Sequence, residues 1–408
     1  IDLLNETDIR TIQEAVRACY QEAPTDIYEG IEEMLLEADR EVLVNAYIFD
    51  HREIAEFLLD LSEKGVDVSL LLEGGPVGGV KDRSKQLLGD LLGSGIRVHV
   101  MYNNESIHDR YRYNHAKYTV IDSEEVAVLS ENFDGNGIPV DGKHGNRGWG
   151  IIVKGREVGE YFSSVFEEDF DGADILELDE FLKTSTPVES TDNTDWTPGR
   201  RRPEALKTIS GPVEILPVLS PDTSAQVIAL IGSCEKNVMV ELSYLNPRWG
   251  KNESPLLHQL VEAAENGCEV RILLDSSWYN TRDGHDNDEI SEELNSLARE
   301  RGIPLEARLI DLERTDVKSI HNKGLIVDDT VLVGSINWNE NSFRFNREVG
   351  IIIHSSEAAE YYTKFFLSDW NKSGREGSFM TLKNLLGGVV FSVILLFFVY
   401  RELKYGKK

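Results

Sequence analysis

The feature that most constrains this chain is an internal duplication. Residues 146–170 contain NRGWGIIV followed by GEYFSSVFEEDF, and residues 346–370 contain NREVGIII followed by AEYYTKFFLSDW. A repeat distance of about 200 residues is much longer than the repeats of solenoid proteins. A chain of 408 residues also exceeds what one hydrophobic core usually serves. The duplication therefore predicts two similar α/β lobes that face each other across a pseudo-two-fold axis.

Both halves show the same order of apolar runs and helical patterns. In the first half, strands are predicted at residues 41–49, 66–74 and 96–103, with helices at 52–65 and 84–95. In the second half, strands are predicted at 237–245 and 268–276, with helices at 255–267 and 291–302. We therefore expect α/β/α lobes at residues 1–182 and 206–374, joined at 183–205 by a linker rich in Thr, Ser, Pro and charge.

The charge balance is strongly acidic. There are 72 Asp and Glu residues against 42 Lys and Arg residues, which gives a formal net charge of -30. Such a surface repels polyanions at long range unless basic groups are gathered locally. It also suits a protein that works in high salt, where screening weakens the self-repulsion. An ordinary acidic surface and adaptation to salt are both compatible with this composition.

Three cysteines, at positions 19, 234 and 268, are widely spaced and odd in number. This count predicts neither a disulfide framework nor a zinc site. Cys234 and Cys268 lie within apolar segments, where a buried free thiol is the usual state. The cysteines therefore leave the redox compartment undecided.

The C-terminal end of the sequence is apolar. Residues 385–400, LLGGVVFSVILLFFVY, carry no charge and are followed by the basic stretch RELKYGKK. With the residues just before them, they reach the length of a membrane-spanning helix, which we expect at 380–400. The basic tail at 401–408 should then be cytoplasmic and the catalytic body extracytoplasmic. The chain begins with Ile1, which agrees with removal of an N-terminal signal peptide.

Each half also contains a histidine followed two residues later by a lysine. YNHAKYTVID holds His115 and Lys117, and SIHNKGLIVD holds His321 and Lys323. Side chains two positions apart on a strand point to the same side. Each histidine should therefore share one strand face with its lysine.

The residues after each pair are repeated as well. An aspartate follows each lysine by five positions, and a Ser-x-Asn sequence lies on the next predicted strand, so that the repeated residues are Asp122, Ser130 and Asn132 in the first half and Asp328, Ser335 and Asn337 in the second. The serine and asparagine of each copy are two positions apart and should again share a face. We expect the aspartates and asparagines to join the histidines and lysines in catalysis, and the two serines to bind substrate. One His-x-Lys pair alone is weak evidence, but two matching copies in a duplicated chain are strong evidence for one shared site.

The combined side chains favour a phosphate ligand. Two imidazoles, two ammonium groups, two amides and two hydroxyls suit an anion with several acceptor oxygens. A lysine beside each histidine would repel a metal ion, and no cluster of Asp and Glu accompanies the motifs, so we expect neither a metal nor another cofactor. Two histidines near one phosphorus atom suggest that one imidazole attacks as a nucleophile while the other donates a proton to the leaving oxygen.

The two motifs resemble those of the phospholipase D superfamily. The pattern H-x-K-x-x-x-x-D followed by Ser-x-Asn occurs twice; GSINWN at 334–339 is a close match, whereas LSENFD at 129–134 lacks the glycine. The similarity extends over residues 30–370, approximately. It implies two α/β/α lobes with the active site at their interface and metal-independent chemistry through a phosphohistidine.

The resemblance also implies roles for individual residues. The N-terminal histidine, His115, would be the nucleophile and His321 the acid. The superfamily uses an acidic residue after the second motif to orient the histidine, and Glu348 fits this role because a carboxylate behind an imidazole fixes its tautomer. The first half has Gly148 at the matching place. The partner of His115 therefore stays open, and the nearby candidates are Glu131, Asp134 and Asp141.

The substrate is less constrained than the bond that is cleaved. We expect phospholipids, with hydrolysis or phosphatidyl transfer as the reaction, because a membrane tether would hold the body beside lipid head groups. The net charge of -30 argues mildly against a channel for nucleic acid. A membrane-tethered endonuclease is the first alternative, and a non-catalytic phosphate-binding surface protein is the second. The sequence is silent on the oligomeric state.

Overall fold

The computed structural model describes residues 10–12, 16–20, 26–102, 110–140, 144–184, 206–209, 213–282 and 286–373. Most of the predicted linker, the predicted membrane-spanning segment with its basic tail, and Asp141 lie outside the described residues. Within the described ranges, no helix has both the length and the apolar character needed to cross a bilayer.

The first half alternates strands and helices as predicted. Its strands are β1 (Arg10–Ile12), β2 (Val16–Tyr20), β3 (Glu41–Ala46), β4 (Asp67–Glu73), β5 (Arg97–Met101), β6 (Lys117–Ile121), β7 (Glu125–Leu129), β8 (Trp149–Lys154) and β9 (Ile175–Glu177). Its helices are α1 (Asp26–Leu36), α2 (Arg52–Glu63), α3 (Asp82–Leu91), α4 (Arg156–Phe170) and α5 (Leu178–Thr184).

The second half repeats this order. Its strands are β10 (Leu206–Ile209), β11 (Val213–Ser220), β12 (Asn237–Leu242), β13 (Arg248–Trp249), β14 (Asn252–Glu253), β15 (Glu269–Leu274), β16 (Leu305–Leu309), β17 (Lys323–Val327), β18 (Thr330–Gly334) and β19 (Glu348–His354). Its helices are α6 (Ala225–Gly232), α7 (Pro255–Glu265), α8 (Trp278–Thr281), α9 (Asn287–Arg301), α10 (Leu312–Thr315), α11 (Glu340–Arg344) and α12 (Ser356–Lys372).

Two mixed sheets carry the fold, and their strand orders correspond. One sheet has the order β10-β2-β8-β7-β6-β3-β4-β5-β9, and the other has the order β1-β11-β19-β18-β17-β12-β15-β16. In each sheet three strands run parallel, β3-β4-β5 and β12-β15-β16, and the histidine motifs enter the antiparallel neighbours β6 and β17. The predicted duplication of α/β lobes is confirmed at the level of strand order.

The two lobes exchange edge strands. Strand β1, from the start of the chain, pairs with β11 in the sheet of the second lobe, and β10 pairs with β2 in the sheet of the first. The predicted lobe boundaries at residues 182 and 206 therefore assign β1 and β10 to the wrong sheets, since each strand pairs in the sheet of the other lobe. These two short edge strands lack the long apolar runs that identify the central strands, so the sequence pattern did not predict where they pair.

A single apolar core joins the lobes. Helices α4 and α12 lie between the sheets, and their aromatic side chains pack with residues from both sheets in one cluster. Trp149 of the first sheet contacts Tyr362 of α12, with ring centroids 4.6 Å apart, and the Tyr362 hydroxyl donates a hydrogen bond to the Gly150 carbonyl oxygen at 2.6 Å. The outer face of each sheet is covered by its own helices over a second and a third core. Because both faces of each sheet are covered, the motif strands β6 and β17 are buried at every position. A sheet with one face exposed to solvent would leave them half-buried.

The structure corrects the expectation for the cysteines. Cys234 follows α6 and Cys268 precedes β15, and the two form a disulfide with their Cα atoms 6.5 Å apart. This separation is normal for a disulfide. The sequence pattern missed the pair because the two residues, 34 positions apart, meet only when α6 and α7 pack side by side.

Candidate active site

The two histidine motifs meet because each is bound to the backbone of the opposite lobe. The His115 amide donates to the Arg347 carbonyl oxygen at 2.8 Å, and the His321 amide donates to the Arg147 carbonyl oxygen at 3.0 Å. Each histidine lies two residues before the first residue of its strand, β6 or β17. The duplicated NR sequence before β8 and β19 is therefore the element that places both histidines at the lobe interface.

The carboxylate behind His115 comes from the second half of the chain. The His115 Nδ1 atom lies 2.7 Å from Oε2 of Glu348. Glu348 also accepts hydrogen bonds from the Ser335 hydroxyl at 2.7 Å and from the Asn346 amide at 3.0 Å. This contact fixes the tautomer, since a proton on Nδ1 leaves the lone pair of Nε2 available for reaction.

The carboxylate facing His321 comes from the first half. Its Nδ1 atom lies 3.4 Å from Oε2 of Glu131. Asn146 donates to the same oxygen at 3.2 Å, and the Ser130 hydroxyl donates to Oε1 at 3.3 Å. Glu131, a candidate partner of His115 by sequence, instead faces His321, and Glu348 serves His115. Each lobe thus supplies the carboxylate for the histidine of the other.

The position of Glu131 explains the glycine that breaks the repeat. A Cβ atom at Gly148 would lie 2.3 Å from Cγ and 2.4 Å from Oε1 of Glu131. The Glu131 side chain therefore fills the space that a longer residue at 148 would need. In the second half, Ile336 matches Glu131 and Glu348 matches Gly148. The first half therefore carries its carboxylate just after β7 of the β7–β8 pair, whereas the second half carries it on β19 of the equivalent β18–β19 pair.

Two buried lysines supply the cationic groups of the site. The Lys117 ammonium donates to the His115 carbonyl oxygen at 2.7 Å, and Lys323 donates to the His321 carbonyl oxygen. In the described part of the chain, neither ammonium group forms an ion pair with a carboxylate. Burial lowers the pKa of Lys117 well below its ordinary value and lowers the pKa of Lys323 to about 8. An anion placed between these groups would offset their cost of burial.

Burial disfavours the protonated form of both imidazoles. Burial lowers the pKa of His115 to about 4, with Glu348 opposing the shift and Lys117 adding to it. Burial also lowers the pKa of His321, and the adjacent Lys323 contributes in the same direction. The His115 side chain is 10% exposed and the His321 side chain is 24% exposed. The His321 imidazole is therefore the more open of the two to exchange of protons with water.

The structure changes the assignment of the serines. The notion that Ser130 and Ser335 bind substrate is not supported by their position, because both side chains are fully buried and donate to Glu131 and Glu348 respectively. The asparagines that follow them, Asn132 and Asn337, are half-buried at the ends of β7 and β18. The Oδ1 atom of Asn132 is buried and has no hydrogen-bond partner among the described residues.

The two motif aspartates do not join the histidines. Asp122 and Asp328 lie at the far ends of β6 and β17, about 16 Å along the strand from the lysines. Both residues adopt φ of 52°, in the left-handed region that Asp tolerates better than most residues. Each carboxylate accepts hydrogen bonds from three consecutive backbone amides, at 39–41 and at 235–237. They anchor the starts of β3 and β12, and their predicted catalytic role is replaced by this structural one.

Sequence reasoning missed a pair of arginines that lock the interface. The guanidinium of Arg147 binds Asp369 at 2.6 Å, and the guanidinium of Arg347 binds Asp169 at 2.8 Å. Both pairs are buried and join opposite lobes. The duplicated segments contained the information needed to predict these pairs. In both copies an arginine in the NR sequence is followed, at the same spacing, by an aspartate near the end of α4 or α12.

The comparisons with known proteins agree with this geometry. A sequence profile of the family described as "Cardiolipin synthase, PLD-like domain" matches residues 31–170 and 227–370. The solved structure of phosphatidylserine synthase from Haemophilus influenzae is similar over 90% of this chain and 89% of its own, with 14% identity and a TM-score of 0.65, which shows the fold. Nuc from Salmonella typhimurium, a phospholipase D family member, covers 40% of this chain and 97% of its own at 20% identity, with a TM-score of 0.33. A search of curated proteins gives no match.

The resemblance that the two motifs suggested is thereby confirmed. The matched residues make up more than half of the chain and include both histidine–lysine motifs. The chain belongs to the phospholipase D-like family of the cardiolipin synthase type.

Proposed function

We propose that this protein is a phosphodiesterase that acts through a phosphohistidine on phospholipids, by hydrolysis or by phosphatidyl transfer. One observation carries the proposal: two imidazoles, each facing a carboxylate of the opposite lobe, lie beside two buried lysine side chains. A set that combines cationic lysines with neutral histidines fits a phosphate and disfavours a metal ion.

The reaction has two steps in this proposal. The lone pair of His115 Nε2 attacks phosphorus, the bond to the leaving oxygen breaks, and protonated His321 donates its proton to that oxygen. In the second step neutral His321 takes a proton from water, whose oxygen attacks phosphorus and displaces His115. An alcohol in place of water gives transfer instead of hydrolysis. The entering phosphodiester anion raises the pKa of His321, which favours the protonated form that the first step requires.

The remaining groups stabilise charge. Lys117 and Lys323 would hold the non-bridging oxygens, and the half-buried amides of Asn132 and Asn337 would donate to the same oxygens. Glu348 stabilises the charge that His115 gains as it attacks. Glu131 stabilises the protonated state of His321.

We further propose that the body works outside the cytoplasm, tethered by the apolar segment at 385–400. The Cys234–Cys268 disulfide supports this placement, because disulfides persist mainly in oxidising compartments.

The test uses the full-length protein with a metal chelator present. It is offered phospholipid vesicles, with and without added glycerol, and labelled single- and double-stranded DNA. We expect phosphatidic acid, or a new phosphatidyl ester when glycerol is present, and intact DNA. Cleaved DNA with intact lipid would establish the nuclease alternative. A requirement for Mg²⁺ would contradict the two-histidine mechanism, and phosphate binding without turnover would favour the non-catalytic alternative.

Replacing Glu131 by glutamine is expected to lower turnover about 10- to 100-fold, as is usual when the carboxylate behind a functional histidine is removed. Glutamine keeps the shape of the side chain but loses the charge that stabilises protonated His321. The loss should be larger for a substrate with an alkoxide leaving group than for one with a p-nitrophenolate leaving group, which hardly needs a proton. An equal loss on both substrates would indicate a merely structural role.

A double replacement provides the matched control. Glu131→Ile together with Gly148→Glu moves the carboxylate to the position that Glu348 occupies in the second half. Because the atoms nearest to a Cβ at 148 all belong to Glu131, removing that side chain frees the required space. We expect the double variant to recover part of the activity that Glu131→Ile alone loses. Full activity of Glu131→Ile would show that His321 needs no carboxylate.

A further inference from the structure

Large exposed apolar side chains are concentrated near one part of the molecule. Among the described residues, six large hydrophobic side chains are exposed. Four of them lie on segments that are hydrogen-bonded to or packed against residues at or near the histidine motifs: Val77 in the loop after β4, 77% exposed, Trp278 and Tyr279 in α8, 67% and 42% exposed, and Phe345 at the end of α11, 43% exposed. We refer to these four residues as the apolar rim. The other two, Leu36 and Leu92, lie at or next to the C-terminal ends of α1 and α3.

We propose that the apolar rim inserts into the surface of a lipid bilayer and brings the two histidines to the level of the phospholipid phosphates. This inference rests on the proposed function, since it specifies how that site meets a substrate that is packed in a membrane.

Val77 is connected to the site through one side chain. Its amide donates to the Tyr47 hydroxyl at 2.6 Å. The Tyr47 ring packs edge-on against His115, with ring centroids 4.5 Å apart. The loop after β4 therefore holds Val77 one side chain away from the first histidine.

Trp278 and Tyr279 hold the corresponding place beside the second histidine. Asp275, at the end of β15, accepts from the Ser277 amide at 3.1 Å and, through its other oxygen, from the Ile320 amide at 2.7 Å. Ile320 directly precedes His321. In the first lobe Glu73 accepts from the Asn114 amide at 2.7 Å in the same way. Val77 and Tyr279 each follow their carboxylate by four positions, so the pseudo-two-fold axis relates the two loops.

Phe345, the fourth residue of the rim, contacts the segment before the first motif. Its carbonyl oxygen accepts from the Arg112 amide at 2.7 Å, and the Arg112 guanidinium lies 5.1 Å from the centre of its ring. Arg112 is three residues before His115. The exposed ring thus lies against the segment that leads into the first motif.

The chemistry of the rim fits a bilayer surface better than a charged partner. Tryptophan and tyrosine combine an apolar ring with a polar group and are enriched at membrane–water interfaces. A net charge of -30 opposes attraction to anionic lipid head groups, so the contact must depend on apolar burial. The apolar segment at 385–400 begins about 12 residues beyond Ser373, the last described residue. Its composition favours a bilayer, and that bilayer would be the surface that the apolar rim meets.

The first experiment compares two substrates for the full-length protein. Trp278→Ala/Tyr279→Ala should lower turnover of long-chain phosphatidylcholine in vesicles at least tenfold, with turnover of the soluble diester bis-p-nitrophenyl phosphate unchanged. Leu36→Ala/Leu92→Ala, which removes exposed apolar side chains elsewhere, should change neither rate. Equal vesicle turnover in both double variants would overturn the proposal. If the wild type cleaves neither substrate, the proposed function fails, and the rim is then tested by the second experiment alone.

The second experiment measures insertion without activity. The protein is bound to vesicles that contain brominated phosphatidylcholine, which quenches tryptophan fluorescence at short range. The other tryptophans of the described residues, at 149, 249, 338 and 370, are buried. We expect Trp278→Phe to remove a quenched component, and bound wild-type protein to keep that component at high salt because apolar insertion is not screened. Identical quenching in the wild type and in Trp278→Phe would contradict insertion. Insertion would also be contradicted if Trp278→Ala/Tyr279→Ala lost binding to single-stranded DNA but still bound vesicles.

Discussion

Replacing His115 by alanine is expected to lower the turnover of a soluble phosphodiester roughly 10⁴-fold or more, the scale seen when a catalytic nucleophile is removed. The reason is geometric. Glu348 binds Nδ1 at 2.7 Å, so only Nε2 can attack, and the neutral state that burial imposes keeps its lone pair available near neutral pH. The measurement is the release of p-nitrophenolate from bis-p-nitrophenyl phosphate in the presence of a chelator. His258→Ala, which removes an exposed histidine paired with Glu253, is the matched control and should have full activity.

The variant His321→Ala separates the two roles. A p-nitrophenolate leaving group needs little proton donation, so the first step should proceed, whereas hydrolysis of the phosphohistidine lacks its base. We expect one equivalent of p-nitrophenolate in a burst and an acid-labile p-nitrophenyl phosphoryl group on His115 that mass spectrometry locates. A burst in His115→Ala, with phosphate on His321, would reverse the assignment of nucleophile and acid.

The second large effect concerns stability. Arg347→Met is expected to lower the free energy of unfolding by about 3–5 kcal/mol, the usual cost of removing one partner of a buried ion pair. The Asp169 carboxylate binds the Arg347 guanidinium at 2.8 Å, and both side chains are almost fully buried between the lobes. Without the arginine, burial raises the pKa of Asp169 further, and the carboxyl must either take a proton or stay charged in the core.

Two further variants make this prediction specific. Arg347→Met/Asp169→Leu replaces both buried charges by apolar groups and leaves only the partly exposed Asp222 without its arginine partner. It should recover much of the lost stability, since apolar replacements of a buried ion pair are often neutral. Arg301→Met, at the exposed pair with Glu265, should change stability by less than about 1 kcal/mol. Denaturant unfolding of the four proteins, followed by fluorescence and circular dichroism, provides the values. A loss in Arg347→Met no larger than that in Arg301→Met would refute a locking role for the arginine.

Sequence patterns predicted the fold and the histidine–lysine pairs because both depend on local periodicity and on duplication. The strands at 41–49 and 237–245 correspond to β3 and β12, and the paired motifs fall at the start of β6 and β17. A buried strand that also carries a basic residue is unusual, and its repetition was sufficient to identify the site.

The predictions were wrong where a residue's contacts depend on how the two lobes pack against each other. Glu348 is close to His321 in sequence, yet the pseudo-two-fold axis brings it to His115. Gly148 suggested a missing carboxylate, but Glu131 fills that space from the neighbouring strand. Asp122 belongs to the motif by spacing, although its strand carries it to the opposite end of the sheet. None of these relations is encoded in the order of residues alone.

The crossed carboxylates bear on how this protein arose and diverged. In a symmetric dimer of identical lobes, the two histidines would have identical surroundings, and either could attack. Here the surroundings differ: one imidazole has a 2.7 Å contact to a glutamate on β19, and the other has a 3.4 Å contact to a glutamate that follows β7. Because both copies are in one chain, each half can change without the other, and the two histidines can have different surroundings. A half expressed alone would retain a histidine and a lysine, but the carboxylate it carries is positioned for a histidine that is no longer present.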